Sequence, residues 1–156
     1  MASVELQVRE ARLTDIDRVI GLIERADSSW TPDRLRDAAD VLRQLLYLPN
    51  GLLIVALDGR MVVGAAVLAI RPSVHAGGIV GAIDLLAVEP GHELDGVIEA
   101  LLRELMRVAR NKGCLFLESE LPQDGAAVAR WEQVGFTESG PRLRYPLTRA
   151  AAVLTW

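Results

Sequence analysis

The sequence predicts a mixed α/β fold of the α+β kind, with helices packed on one central sheet, and three observations carry that reading. Alternating or continuous apolar runs of strand length recur along the chain, separated by stretches with helical spacing. Residues 85–88 lead through a loop into the helical run 97–110 and on to the apolar run 115–121, and this strand-helix-strand order implies a parallel crossover. Asp58-Gly59 between two apolar runs signals a hairpin, which demands antiparallel neighbours. A sheet holding both kinds of pair is mixed.

The elements follow in order. Val4, Leu6 and Val8 alternate with Glu5, Gln7 and Arg9, the period of a half-buried strand over 4–9. Thr14, with Asp17 three residues on, is expected to cap a helix whose apolar face holds Ile16, Val19, Ile20 and Ile23. Thr31-Pro32 opens a second helix carrying Leu35, Ala38, Ala39, Leu42 and Leu45 on one face, and Pro49-Asn50-Gly51 ends it. Residues 52–57 and 61–70 form the hairpin, and 79–88 is the next strand after the loop 71–78. The third helix shows Val97, Leu101, Leu105 and Val108 on one stripe and stops near Asn111-Lys112-Gly113. A strand over 115–121, a helix over 124–134 stopped by Gly135, and closing strands over 136–139 and 143–147 complete the order β-α-α-β-β-β-α-β-α-β-β.

Length and composition bound the function. A chain of 156 residues with 51% hydrophobic content predicts one domain over 1–156 with a continuous core. A net charge of -4 without a Lys/Arg cluster argues against nucleic acid or an anionic membrane as partner. The longest apolar stretch, 61–70, is far short of the ~20 residues that span a bilayer, and with no basic-apolar signal pattern the expectation is a cytoplasmic protein. Cys114, the single cysteine, begins an apolar run and reads as a buried structural thiol. His75 and His92 are isolated and the carboxylates scattered, so no metal site is expected.

The junction from Leu85-Leu86-Ala87-Val88-Glu89-Pro90 through Gly91-His92-Glu93-Leu94-Asp95-Gly96 into the third helix outlines an anion site, because helix-terminal N–H groups and the dipole favour negative charge. An ordinary capped helix after a strand is the plainer reading, with Asp95 as the cap. The junction resembles the cofactor-binding core of the GNAT acetyltransferase superfamily, in which a strand ending in Val-x-Pro leads into an Arg/Gln-x-x-Gly-x-Gly/Ala loop. Gly96 falls on the first glycine, Glu93 stands in place of Arg or Gln, and Ile98 in place of Gly or Ala. Ala127-x-x-x-Trp131-Glu132-Gln133-Val134-Gly135-Phe136 is similar to the family's Tyr/Trp-Glu-x-x-Gly-Phe helix end, and the element order fits nearly the whole chain.

The resemblance implies a three-layer GNAT-like fold with a splayed cleft between strands 79–88 and 115–121, and an acetyl-CoA-dependent N-acetyltransferase. Leu86, Ala87 and Val88 would then meet the pantetheine through backbone, the Val88 N–H facing the thioester carbonyl, and Asp95, Gly96, Val97 and Ile98 would meet the pyrophosphate. Two features oppose the anion: the acids Glu93, Asp95 and Glu99, and the bulk of β-branched Ile98. Asp84 stands where many members carry a catalytic Glu, and it is expected to be partly buried as a general base; an outward or ion-paired carboxylate is the competing reading. Glu118 and Glu120, flanking Ser119, share a strand face and are further candidates, against a solvated sheet face. Trp131 stands at the family's acid Tyr, where indole cannot protonate a thiolate; it is assigned to packing, with Tyr145 a remote substitute. The acceptor would be a small-molecule or protein amine, in a pocket formed by the first two helices and the loop 71–78, where Asp33, Asp37 and Asp40 either favour a cation or only face solvent. A GNAT-fold binding or dimerisation module with weak or no acetyl-CoA binding is the alternative, and a homodimer fits either.

Overall fold

The computed structural model describes residues 5–93, 95–122, 124–140 and 145–148, in two compact units, Met1–Ser119 and Glu120–Trp156. The first unit holds the strands β1 (Leu6–Glu10), β2 (Gly51–Asp58), β3 (Met61–Ser73), β4 (Gly78–Val88) and β5 (Leu117–Ser119) and the helices α1 (Ile16–Ala26), α2 (Pro32–Leu45) and α3 (Val97–Asn111). The second holds α4 (Gly125–Val134). The strands form one five-stranded sheet in the order β1-β2-β3-β4-β5. The first three pairs are antiparallel and β4–β5 is parallel, so the sheet is mixed as expected.

Side-chain alternation sorts the sheet into two covered faces. Leu53, Val55, Leu57, Ala65, Val67 and Ala87 point to one face, where they form a continuous core with Ile16, Val19, Leu22 and Ile23 of α1 and Leu35 and Leu42 of α2. Helix α3 lies on the other face, close enough that a Cβ at Gly64 would stand 2.5 Å from Val97 Cγ1 and 3.0 Å from Leu101 Cδ1. Glycine at this strand position is therefore a packing requirement.

Several boundaries differ from the sequence reading, each for a physical reason. Thr14 does not cap α1: residues Leu13–Asp15 form a 3-10 turn, and the buried Asp15 carboxylate instead accepts from the Arg12 N–H at 2.8 Å. Thr31 does cap α2, accepting from the Arg34 N–H at 3.2 Å with Pro32 in the first turn. Strand β5 spans three residues rather than 115–121, because β4 offers it a ladder only from Gly81 to Ile83. Residues 136–139 carry no strand pairing, and neither do 145–147; the remainder of the expected strand 143–147 lies outside the described residues. Helix α4 begins with the Asp124 carboxylate accepting from the Ala126 N–H at 3.1 Å and ends at Gly135 as expected.

Candidate active site

Strand β4 changes character midway. Val67 pairs with Leu85 and Leu68 with Ile83, so Asp84 is an extra residue on β4, a β-bulge. On its other edge the ladder to β5 ends at Ile83–Ser119. Residues 84–88 thus run on with no ladder partner on that edge among the described residues, which is the local divergence that a cleft requires. Leu86 and Val88 are half-buried, Ala87 is buried, and Asp84 is exposed. The exposure of Asp84 differs from the expected partial burial, because the bulge turns it out of the pleat.

The loop after β4 is held by its own groups. The His92 N–H donates to the Glu89 carbonyl at 3.0 Å, the Asp95 N–H to the His92 carbonyl at 3.1 Å, and the Gly91 N–H to Glu93 Oε2 at 2.9 Å. Gly96 precedes α3 with φ +81°, a left-handed conformation natural only to glycine, and a Cβ there would meet nothing within 4 Å.

Two expectations about this loop are corrected. Asp95 does not hold the cap position of α3: Gly96 does, and the Asp95 carboxylate lies 3.0 Å from His92 Nδ1. Ile98 does not crowd the approach either, because it is 7% exposed and belongs to the buried stripe with Leu101, Leu102 and Leu105. The acids remain, with Glu93 and Asp95 exposed and Glu99 half-buried.

An anchor that sequence reasoning missed fixes the loop's start. Glu89, 9% exposed, accepts from Arg25 of α1 in a fork, Nε to Oε1 at 2.9 Å and Nη2 to Oε2 at 2.8 Å. This hydrogen bonding raises the Arg25 pKa above its usual value, so the guanidinium stays charged. Its only signal in the sequence is an acid ending an apolar strand directly before proline.

The other candidates are placed as follows. Glu118 on β5 is paired with Arg71 of β3, Nη2 to Oε1 at 3.0 Å. Glu120 lies past the end of β5, half-buried, at the start of the second unit. Asp33 and Asp40 face solvent in same-helix pairs with Arg36 and Arg43, and Asp37 is exposed as well. Trp131 is buried and meets Phe136 edge to face at 5.1 Å, whereas Tyr145 is 84% exposed. Cys114 is half-exposed rather than buried and His75 is exposed. No group of His, Cys, Asp and Glu fit for a metal occurs among the described residues, and no described helix is long and apolar enough to cross a membrane.

Solved structures share this architecture. An integron cassette protein from the mobile metagenome of Cole Harbour Salt Marsh is 25% identical with a TM-score of 0.79, over 91% of this chain and 91% of that one. A Trypanosoma brucei acetyltransferase is 24% identical with a TM-score of 0.71, over 92% and 100%. The aminoglycoside acetyltransferase AAC(6')-Iy, in complex with the bisubstrate analog CoA-S-monomethyl-acetylneamine, is 20% identical with a TM-score of 0.76, over 92% and 99%. No curated protein matches the chain by sequence. The family profile described as "Acetyltransferase (GNAT) family" matches residues 19–136, from α1 through the bulged β4 and the loop to the end of α4, and the chain belongs to that family.

Proposed function

We propose that this protein transfers an acetyl group from acetyl-CoA to a primary amine. The observation that carries the proposal is the edge of β4, which loses its ladder after Ile83 and runs on as residues 84–88 toward the start of α3, where glycine holds the cap position. Such an edge suits an extended pantetheine arm, because free main-chain groups pair with it as with an added strand. Leu86, Ala87 and Val88 supply that backbone, and the Val88 N–H is the donor assigned to the thioester carbonyl. The backbone of Asp95, Gly96, Val97 and Ile98 receives the pyrophosphate, where the open space at Gly96 and the dipole of a fifteen-residue helix both suit an anion. When bound, acetyl-CoA supplies a thioester whose carbonyl carbon bonds to the amine nitrogen as the C–S bond breaks and the sulfur takes up a proton.

The chain's own part is to hold and to deprotonate. An alkyl amine with a pKa of about 10.4 is roughly 0.1% neutral or less at pH 7, so a proton acceptor is required. Asp84 takes the proton, through a water where the amine is not in direct reach. Trp131 carries no ionisable proton at neutral pH, so the departing sulfur is protonated from solvent. The fold of AAC(6')-Iy with its CoA-containing analog supports acetyl-CoA as donor, and at 20% identity it names no acceptor here.

A second reading, a GNAT-fold module without acetyl transfer, is favoured by the acids Glu93 and Asp95 in the loop and by Trp131. Thermal unfolding with acetyl-CoA separates the two. Saturation at about 100 times Kd adds about 2.7 kcal/mol, a rise in Tm on the order of 5–10 °C for a chain of this size. No rise at millimolar acetyl-CoA overturns the transfer reading and leaves the module.

A further inference from the structure

Where β4 and β5 part, one sheet face carries a pair of opposite charges on a floor of small side chains. Ala69 of β3 is registered with Ala82 of β4, and Ala82 with Glu118 of β5, so these residues share a face. Arg71, two residues along β3 from Ala69, lies on the same face and reaches across β4 to Glu118 at 3.0 Å. Neither alanine is buried, unlike Ala65 and Val67 earlier on that face of β3. Val80, paired with Arg71 on this face, is fully buried, whereas the side chains of Arg71 and Glu118 keep 55% and 35% exposure. Ala82 is two residues before the bulged Asp84.

We infer that this pair is the acceptor's recognition site, and that the acceptor is an amine that also bears a carboxylate, as a free amino acid does. The inference rests on the acetyl-transfer reading only in calling the ligand an acceptor. An exposed ion pair is worth roughly 0 to 1 kcal/mol, so its partners exchange readily for better ones. A zwitterion offers both at once: its carboxylate forms a two-pronged contact with the Arg71 guanidinium, and its ammonium group takes the Glu118 carboxylate. The small side chains of Ala69 and Ala82 leave the ligand room against the strands. Binding in this orientation holds the amine beside the Asp84 bulge, where a proton acceptor is required. A simple cross-brace between β3 and β5 would stiffen the sheet edge but would not distinguish one ligand from another.

Ligand-observed NMR tests the assignment with the common amino acids and their carboxamides as probes, which differ only in the carboxylate. At least one acid should bind ten times or more tighter than its amide. Arg71→Gln should remove that preference and Arg71→Lys should restore part of it, while the Tm of each variant reports any loss of bracing. The inference is overturned if every acid binds no better than its amide, or if Arg71→Gln leaves the preference intact. An acetyl-CoA titration in parallel keeps the two readings apart. Acid binding without acetyl-CoA binding defeats acetyl transfer and keeps the site, and acetyl-CoA binding without acid preference does the reverse.

Discussion

Single residues show how far burial decides the role of a charge. Asp15 is fully buried, and its carboxylate accepts from Arg9 Nη1 at 2.7 Å, Arg18 Nη2 at 2.6 Å and the Arg12 N–H at 2.8 Å. The Arg9 hydrogen bond, the largest cause, and the other donors hold its pKa below the usual carboxylate value. A folded-state pKa below the unfolded one means that this contribution is complete above about pH 4 and is lost as pH falls through the depressed value. Asp15→Ala should cost about 1.5–3 kcal/mol at neutral pH, the worth of hydrogen bonds to a charged group, since both guanidinium partners also reach solvent. Denaturant unfolding of the two proteins should give curves that converge as the pH drops below about 4. Asp84 is the opposite case, exposed on its bulge, where it holds up no packing. Asp84→Asn should therefore lower kcat about a hundredfold with acetyl-CoA affinity and Tm unchanged, as initial rates and calorimetry will show.

At the scale of elements, local signals were readable and tertiary ones were not. The Asp58-Gly59 hairpin, the Thr31-Pro32 start of α2 and the Gly135 stop of α4 use neighbouring residues, and all three stand in the structure. Asp15 rather than Thr14 anchors the start of α1 because its partner Arg9 arrives from β1, a tertiary placement that spacing does not reveal. The Arg25–Glu89 fork was hidden for the same reason, with 64 residues between its members. Ile98 is different, because its spacing to Leu101, Leu102 and Leu105 places it on the buried stripe of α3, and a match to the family loop compares residue size but not the face it occupies. The burial of Ile98 sets the expected behaviour of the loop. Ile98→Gly should not open the phosphate approach: it empties a core position and adds a helix-breaking residue, at about 3–5 kcal/mol in denaturant unfolding. Gly96→Ala should leave the core intact and strain only the positive φ, at about 1 kcal/mol, while raising the Kd for acetyl-CoA about tenfold by calorimetry.

For the whole molecule the governing quantity is charge. The chain carries a net charge of -4, and two of its acids, Glu93 and Asp95, are exposed on the loop proposed here for the polyanionic cofactor. The attractive groups at that place are backbone N–H donors and a helix dipole, which act within the first turn, whereas the net charge acts across the screening distance. Raising salt from about 0.01 to 0.15 M shortens that distance from about 30 to about 8 Å. Repulsion over the larger range should fade while contacts to the backbone persist. Affinity for acetyl-CoA should therefore rise with salt over this interval, contrary to the usual loss for an anion held by lysines and arginines. Glu93→Gln removes one of the repelling charges and keeps an oxygen for the Gly91 N–H, so it should bind more tightly at low salt and show a flatter salt dependence. Calorimetry at four or so salt concentrations reads both slopes. A wild-type affinity that falls steeply with salt would mean that side-chain cations dominate the cofactor site, and the backbone account of the loop would then be wrong.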